Sequence, residues 1–225
     1  TLEIMKYYGA NVCWSDTQTL SVATQGYAPK SFTVEPDWSA ASYWFSLAAL
    51  TTNSDITLKY LTIPSLQGDH KGADLFKQLG VSYTIHSDGI QLHSTGTHTS
   101  RFEADLVQTF VVTACLLNIP FHITGVATLR VKETDRIAAL ITELDKLGYV
   151  LYAKGDQAIY WENEKKEPHS APSISTYQDH RMAMSFAPAA ILHPNLWIEN
   201  PEVVTKSYPH FWEDLEHCGT QLLKK

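Results

Sequence analysis

The chain has 225 residues, of which 17 are lysine or arginine and 24 are aspartate or glutamate, so its formal net charge at pH 7 is −7. With 44% hydrophobic and 18% charged residues, the composition excludes a disordered or low-complexity protein and predicts a sizeable core. The acidic balance argues against a broad surface for nucleic acid or an anionic membrane, although a local basic pocket for a small anion is compatible with it. The length of the chain lies between the typical length of one domain and that of two domains.

Three cysteines, Cys13, Cys115 and Cys218, lie far apart in the sequence. Their odd number and wide spacing predict neither a disulfide framework nor a zinc site, so we expect a reducing, cytoplasmic environment. The apolar runs are well short of the roughly 20 residues that cross a membrane, so no membrane span is expected. The histidines show no i, i+4 pairing of the kind that holds a metal, and no metal is expected.

Three segments of the chain share one plan: an amphipathic helix closed by a glycine, then two short alternating runs around a polar turn. The closing glycines are Gly9, Gly80 and Gly148. Each stands where the end of a helix needs a positive φ, which glycine adopts without steric cost. The two runs after each glycine predict a β-hairpin.

A second marker repeats in the same frame, an aspartate placed just before a strongly apolar run. Such an aspartate accepts hydrogen bonds from the first N–H groups of a helix, and runs that are apolar nearly all round predict helices buried between other elements. Pro188 should shorten the last helix. The three pairs are Asp37 with residues 40–50, Asp105 with residues 106–117, and Asp179 with residues 182–192.

Strand-like runs lie between these markers, so each full unit reads strand, helix, strand, helix, hairpin, or βαβαββ. The fold class predicted from this order is α/β (α+β). The first copy begins inside its second helix, and we expect a last short helix at residues 209–218. The predicted strands are residues 32–34, 56–63, 121–124, 174–177 and 196–198.

The densest ionisable cluster is residues 130–136, Arg-Val-Lys-Glu-Thr-Asp-Arg, between a predicted strand and a helix expected at residues 137–147. Junctions of this kind are where α/β proteins place ligand-binding groups, because free N–H groups point outward there. The alternative is a solvated, capped helix start, which composition alone favours.

Asp179-His180-Arg181 forms a second cluster at such a junction, with an imidazole and a guanidinium suited to a carboxylate or a phosphate. The alternative is a capping aspartate with two exposed neighbours. Asp105 is a candidate general base at the start of an apolar helix, or only a helix cap. Lys206 is a candidate anion contact or an ordinary surface lysine.

Residues 130–137 (Arg-Val-Lys-Glu-Thr-Asp-Arg-Ile) and residues 177–184 (Tyr-Gln-Asp-His-Arg-Met-Ala-Met), taken together and in this order, resemble the signatures of the EPSP synthase family, the 5-enolpyruvylshikimate-3-phosphate synthases. Residues 37–50, 67–69 and 206–211 agree with it. The resemblance covers essentially the whole chain but only the carboxyl-terminal half of the family.

The resemblance implies an inside-out α/β barrel of the enolpyruvyl transferase type, built from βαβαββ repeats. Residues 1–34 would be the truncated tail of a first domain, and residues 35–225 the second domain. The family's amino-terminal motifs, which hold part of both substrates, have no counterpart in the sequence, so the chain alone is expected to be inactive. A monomer is expected.

The implied reaction transfers the enolpyruvyl group of phosphoenolpyruvate to the 5-hydroxyl of shikimate 3-phosphate, a step of aromatic amino acid biosynthesis, and releases phosphate without a metal or organic cofactor. By resemblance, Asp105 would accept the hydroxyl proton. Glu133 would act at the methylene carbon of phosphoenolpyruvate. It would donate a proton as an acid in the addition step and accept a proton as a base in the elimination step.

The same resemblance implies roles for five further residues in binding the two substrates. Lys132 would contact shikimate 3-phosphate, and Arg136 and Arg181 would hold phosphoenolpyruvate. His180 would support this wall of the site, and Lys206 would close over the phosphate. Thr128 stands where many relatives carry asparagine, and this departure from the pattern leaves open whether the position contacts shikimate 3-phosphate. Two alternatives remain, a related UDP-N-acetylglucosamine enolpyruvyl transferase and a non-catalytic anion-binding domain.

Overall fold

A computed structural model describes residues 1–104 and 108–223 of the chain. Seven α-helices occur in these ranges: α1 Leu2–Tyr7, α2 Trp38–Leu50, α3 Gly72–Gln78, α4 Gln108–Leu116, α5 Arg136–Lys146, α6 His180–Phe186 and α7 Phe211–His217. The strands are β1 Val12–Trp14, β2 Leu20–Val22, β3 Ile56–Lys59, β4 Val81–His86, β5 Gly89–Ser94, β6 Phe102–Ala104, β7 Phe121–Thr124, β8 Tyr152–Lys154, β9 Ala158–Trp161, β10 Ser173–Ile174 and β11 Trp197–Ile198. Short 3-10 helices span Gly68–Lys71, Ala127–Val131, Ala187–Ile191 and Pro201–Lys206.

The complete repeat unit spans β6 to β9. Its sheet has the order β6-β7-β9-β8, in which β6 and β7 are parallel and the other neighbours are antiparallel. The sheet β3-β5-β4 reproduces the last three strands of this arrangement, and the parallel pair β10-β11 reproduces the first two. The predicted βαβαββ plan and the α/β class are therefore confirmed.

Helices α2, α4 and α6 pack against one another and form the centre of the core. Two of the predicted caps are confirmed: Asp37 Oδ1 accepts from Ser39 N at 2.8 Å, and Asp179 Oδ1 accepts from Arg181 N at 2.9 Å. Asp105, the third predicted cap, lies outside the described residues. Helix α6 ends before Pro188, as predicted.

The three glycines that close the amphipathic helices have φ of 89°, 85° and 91° at Gly9, Gly80 and Gly148, as predicted. A hairpin follows each of them. A Cβ added at Gly148 would lie 2.6 Å from Lys166 O, so this position excludes any side chain on spatial grounds as well.

Three strand predictions need correction. Residues 32–34 form no strand, because they pair with no other described strand, and Val34 is 81% exposed. The strand predicted at residues 56–63 ends at Lys59, since Tyr60 has a φ of 64°. The strand predicted at residues 174–177 is confined to Ser173–Ile174, because a turn with positive φ follows it.

Residues 1–34 lie apart from the core. Val12 is the one buried residue among them, and the described core cluster runs from Trp38 to Leu215. In the described ranges, no helix has the length and apolarity that crossing a membrane requires.

Candidate active site

A cavity of about 530 Å³ lies where the amino-terminal turns of α2, α4 and α6 meet the segment before α5. It gathers five of the predicted site residues, namely Lys132, Glu133, Arg136, His180 and Arg181. A second cavity, of about 570 Å³ beside β3, contains none of the predicted site residues. The position of the cationic side chains therefore assigns the candidate site to the first cavity.

Arg136, the first residue of α5, is 5% exposed and is held by the fully buried carboxylate of Asp179. Its Nε donates to Asp179 Oδ2 at 2.6 Å, and its Nη2 donates to Asp179 Oδ1 at 3.3 Å. A two-point contact of this kind fixes the plane of a guanidinium. The two sequence clusters, 43 residues apart, are thus joined by an ion pair at the wall of the cavity.

Two cationic side chains contact the carboxylate of Glu133. Arg136 Nη2 donates to its Oε2 at 2.9 Å, and the exposed Lys206 reaches its Oε1 at 3.2 Å. The backbone amide of Glu133 itself, followed by Lys206 and Arg136, lowers the pKa of this carboxyl to about 2. Glu133 is therefore ionised at neutral pH, which is the form that accepts a proton.

Replacing Lys206 with alanine is expected to raise the pKa of Glu133 toward, but not up to, its ordinary value of 4.5. The amide and Arg136 remain in the variant, while the hydrogen bond from the lysine is lost. A ¹³C NMR titration of the carboxyl group measures the change. Lys77→Ala is the control, because it removes an exposed lysine that pairs with Asp74 at 2.7 Å. An unchanged pKa of Glu133 in Lys206→Ala would show that the ion pair is unimportant in solution.

Arg181 lies on the α2 side of the cavity. Its Nη2 is 3.4 Å from Ser39 Oγ, and Ser39 Oγ in turn donates to the carboxylate of Asp69. Asp69 comes from the Gln-Gly-Asp stretch that the sequence analysis noted. This chain of contacts joins the guanidinium to a second element of the fold and leaves it beside the cavity.

His180 is neutral at pH 7, because burial lowers the pKa of its imidazole. Its Nδ1 is buried, lies 3.9 Å from Asp179 Oδ1 and makes no hydrogen bond with the described part of the chain. The imidazole ring as a whole lines the cavity wall, although this nitrogen faces the protein interior. Thr128, for which a substrate contact was left open, also lines the cavity.

Helices α2 and α4 contribute polar residues to the cavity that were not among the predicted site residues. Ser39, Ser42, Gln108 and Thr109 line it, and Ser42 Oγ lies 3.1 Å from Thr109 Oγ1. Each of them follows within five residues of an aspartate that marks the repeat, so the sequence indicated their place near a helix start but not that these starts converge on one cavity. Free N–H groups and hydroxyls at such helix starts suit an anionic ligand.

The arrangement combines three cations at the cavity, Lys132, Arg136 and Arg181, with two carboxyl groups, Asp69 and the ionised Glu133. Such a site can hold a small molecule with more than one anionic group and move a proton beside it. Among the described residues, no three His, Cys, Asp or Glu side chains converge into a metal site.

Comparison with known proteins agrees with this chemistry. Residues 1–215 match the family described as EPSP synthase (3-phosphoshikimate 1-carboxyvinyltransferase). The chain belongs to the EPSP synthase family. The match includes both signature clusters and all of the candidate site residues.

Two relatives show how much of an EPSP synthase this chain represents. The 3-phosphoshikimate 1-carboxyvinyltransferase of Bacteroides fragilis is 49% identical over an aligned length of 225 residues. The alignment covers 97% of this chain and 55% of the relative. The protein of the same name from Methanospirillum hungatei is 34% identical and matches 96% of this chain and 51% of its own length. The chain therefore spans about half the length of the curated relatives it matches.

Solved structures share the fold. An EPSP synthase from Acinetobacter baumannii superposes with a TM-score of 0.69 at 22% identity, covering 97% of this chain and 54% of that protein. The enolpyruvyl transferase NikO from Streptomyces tendae superposes with a TM-score of 0.66 at 16% identity, covering 98% of this chain and 52% of that protein. At these identities the likeness shows the fold alone, and it confirms the enolpyruvyl transferase architecture that the resemblance implied.

Proposed function

We propose that this chain forms one wall of the active site of a 3-phosphoshikimate 1-carboxyvinyltransferase, which transfers the enolpyruvyl group of phosphoenolpyruvate to the 5-hydroxyl of shikimate 3-phosphate. The single observation that carries the proposal is the placement of Arg136. Its guanidinium is fixed by Asp179 and touches Glu133 at a cavity that Arg181 also lines. A fixed cation and an ionised carboxylate in contact suit an anionic substrate that must also exchange a proton.

In the proposed reaction the 5-oxygen of shikimate 3-phosphate forms a bond to the central carbon of phosphoenolpyruvate. Asp105 takes the hydroxyl proton, and Glu133 delivers a proton to the methylene carbon. In the second half Glu133 takes a proton back from that carbon as the C–O bond to phosphate breaks, and the proton held by Asp105 passes to the departing phosphate. The low pKa of Glu133 keeps the carboxylate ionised before substrate binds, but such a group is a weak base, so both halves of the reaction need a higher pKa.

Glu133 needs a higher pKa to donate a proton in the first half. Substrate binding supplies a reason for such a rise, because an incoming anion adds negative charge near the carboxyl and competes for Lys206. In this scheme Lys206 moves from Glu133 to the substrate phosphate. Lys132, Arg181 and His180 complete the wall that holds the two substrates.

We further propose that residues 35–225 form the second domain of the enzyme and that residues 1–34 belong to the end of the first. The separation of residues 1–34 from the core cluster supports this division. The proposed partners are the two substrates, with no nucleic acid or membrane, and the proposed state is a cytoplasmic monomer that needs no cofactor.

The test is a chimera in which this chain replaces the matched segment of the Bacteroides fragilis relative. We expect the chimera to release phosphate from phosphoenolpyruvate with shikimate 3-phosphate, and not with UDP-N-acetylglucosamine. The chain alone should show no turnover, because the family's amino-terminal motifs are absent from its sequence. Phosphate release by the chimera with the UDP sugar alone, or turnover by the chain alone, would contradict the proposal. The unmodified relative is the positive control.

A further inference from the structure

Helix α5 carries a second buried carboxylate, Glu143, seven residues after Arg136. This spacing places the two side chains on the same face of the helix, two turns apart. Glu143 is fully buried and accepts three hydrogen bonds: from Lys146 Nζ at 2.6 Å, Tyr177 Oη at 2.7 Å and Ser175 N at 3.0 Å. Two of these donors come from the segment that leads into Asp179.

That segment ends in a tight turn. Asp179 N donates to Thr176 O at 2.9 Å, and the two central residues, Tyr177 and Gln178, have φ of 54° and 58°. Positive φ at both central positions is typical of a type I′ turn, in which glycine and asparagine are favoured. Tyrosine and glutamine are unfavourable there, so contacts outside the turn must hold its shape.

The hydroxyl of Tyr177 supplies such a contact through its hydrogen bond to Glu143. Burial and this hydrogen bond raise the pKa of Tyr177 to about 12, so the hydroxyl stays protonated and donates. Lys146 Nζ adds a link between α5 and the same segment by donating to Ser173 O at 2.8 Å. The segment is therefore fastened along α5 before it reaches Asp179.

We propose that Tyr177 and Glu143 are positioning residues for the Arg136 guanidinium. The turn is attached to α5 at two points, Tyr177 to Glu143 and Asp179 to Arg136. Asp179 is two residues from Tyr177, so the first attachment sets where the carboxylate meets the guanidinium. Neither Tyr177 nor Glu143 is among the residues that line the cavity, and their effect on a ligand passes through Arg136.

The role in substrate binding rests on the proposed function, whereas the effect on Arg136 does not. Tyr177→Phe removes the hydroxyl alone. Tyr152→Phe is a matched control, because Tyr152 donates to Glu164 at 2.7 Å, also the distance from Tyr177 to Glu143. The two side chains are also similarly exposed, Tyr152 to 41% and Tyr177 to 37%.

The first readout is hydrogen exchange of the Arg136 Nε–H group, followed by NMR and assigned by its loss in Arg136→Lys. In Tyr177→Phe the exchange should become about tenfold faster, the effect of losing one hydrogen bond to a charged group. In Tyr152→Phe it should change by less than about twofold. Unchanged exchange in Tyr177→Phe would overturn the positioning role whether or not the protein is an active transferase.

The second readout uses the chimera. Tyr177→Phe should raise KM for phosphoenolpyruvate about tenfold, while KM for shikimate 3-phosphate stays as in the unmodified chimera. An equal loss toward both substrates together with a lower melting temperature would indicate a structural role only and would overturn the proposal. An inactive but folded chimera would refute the proposed function, and the exchange measurement would still decide the positioning role.

A second variant separates the hydrogen bond from the strain of the turn. Tyr177→Asn places a residue that tolerates a left-handed backbone in the turn and also removes the hydroxyl. Faster exchange of Arg136 Nε–H at an unchanged or higher melting temperature would assign the effect to the hydrogen bond. Exchange as slow as in the unmodified chain would overturn the proposal.

Discussion

Asp179→Asn is expected to lower the free energy of unfolding by about 3 kcal/mol, because the buried guanidinium loses its buried anionic partner and keeps only the partly exposed Glu133. Asp179 is fully buried and Arg136 is 5% exposed, so water cannot replace the lost charge. Asparagine keeps the ability to cap α6, which confines the effect to the ion pair. Urea unfolding followed by circular dichroism measures the change.

Asp37→Asn is the matched control for this experiment. Asp37 caps α2 as Asp179 caps α6, but it is exposed and has no buried cationic partner among residues 1–104 and 108–223. Its replacement should change the free energy of unfolding by less than about 0.5 kcal/mol. Adding Arg136→Met to Asp179→Asn should recover much of the loss, since no unpaired buried charge remains. Equal losses in the two single variants would mean that Asp179 acts only as a helix cap.

Glu133→Gln in the chimera is expected to reduce turnover by about 10²- to 10⁴-fold, the usual contribution of a positioned acid or base. Glutamine can accept hydrogen bonds from Arg136 and Lys206 but cannot carry the proton. KM for phosphoenolpyruvate should change little or fall, because one negative charge leaves the site. Steady-state phosphate release measures both constants.

Glu213→Gln serves as the control, since Glu213 is exposed on α7 and, within the described part of the chain, its carboxylate pairs only with His210, at 2.9 Å. This variant should retain the turnover of the unmodified chimera. Full activity of Glu133→Gln would show that another group moves the proton. A rise in KM for phosphoenolpyruvate without a loss of turnover would assign Glu133 to binding instead.

Local patterns made much of the fold predictable from the sequence. The aspartate caps at Asp37 and Asp179, the glycine at the end of α5 and the shortening of α6 before Pro188 each depend on residues within one or two turns of a helix. Since three copies of one pattern supported each other, the βαβαββ plan followed from the repeat. The two signature clusters likewise predicted which junctions would carry the cationic residues.

Contacts between residues far apart in the sequence, and strained backbone conformations, could not be predicted from local sequence patterns. Asp179 was correctly expected to cap a helix, but its ion pair with Arg136 depends on how two units pack. The strand predicted at residues 174–177 was too long because the β-forming residues there meet a turn held from outside by Glu143. Ser39 and Thr109 reach the cavity only because α2 and α4 converge, which no local pattern specifies.

The central claim is that this chain supplies the proton-transferring wall of an enolpyruvyl transferase, and product formation in deuterium oxide tests it most directly. The chimera would be incubated with phosphoenolpyruvate and shikimate 3-phosphate, and the product followed by proton NMR. The account predicts a new vinyl ether whose methylene group carries deuterium, because that carbon gains and then loses a proton during the reaction. A folded chimera that binds phosphoenolpyruvate but forms no vinyl ether would contradict it.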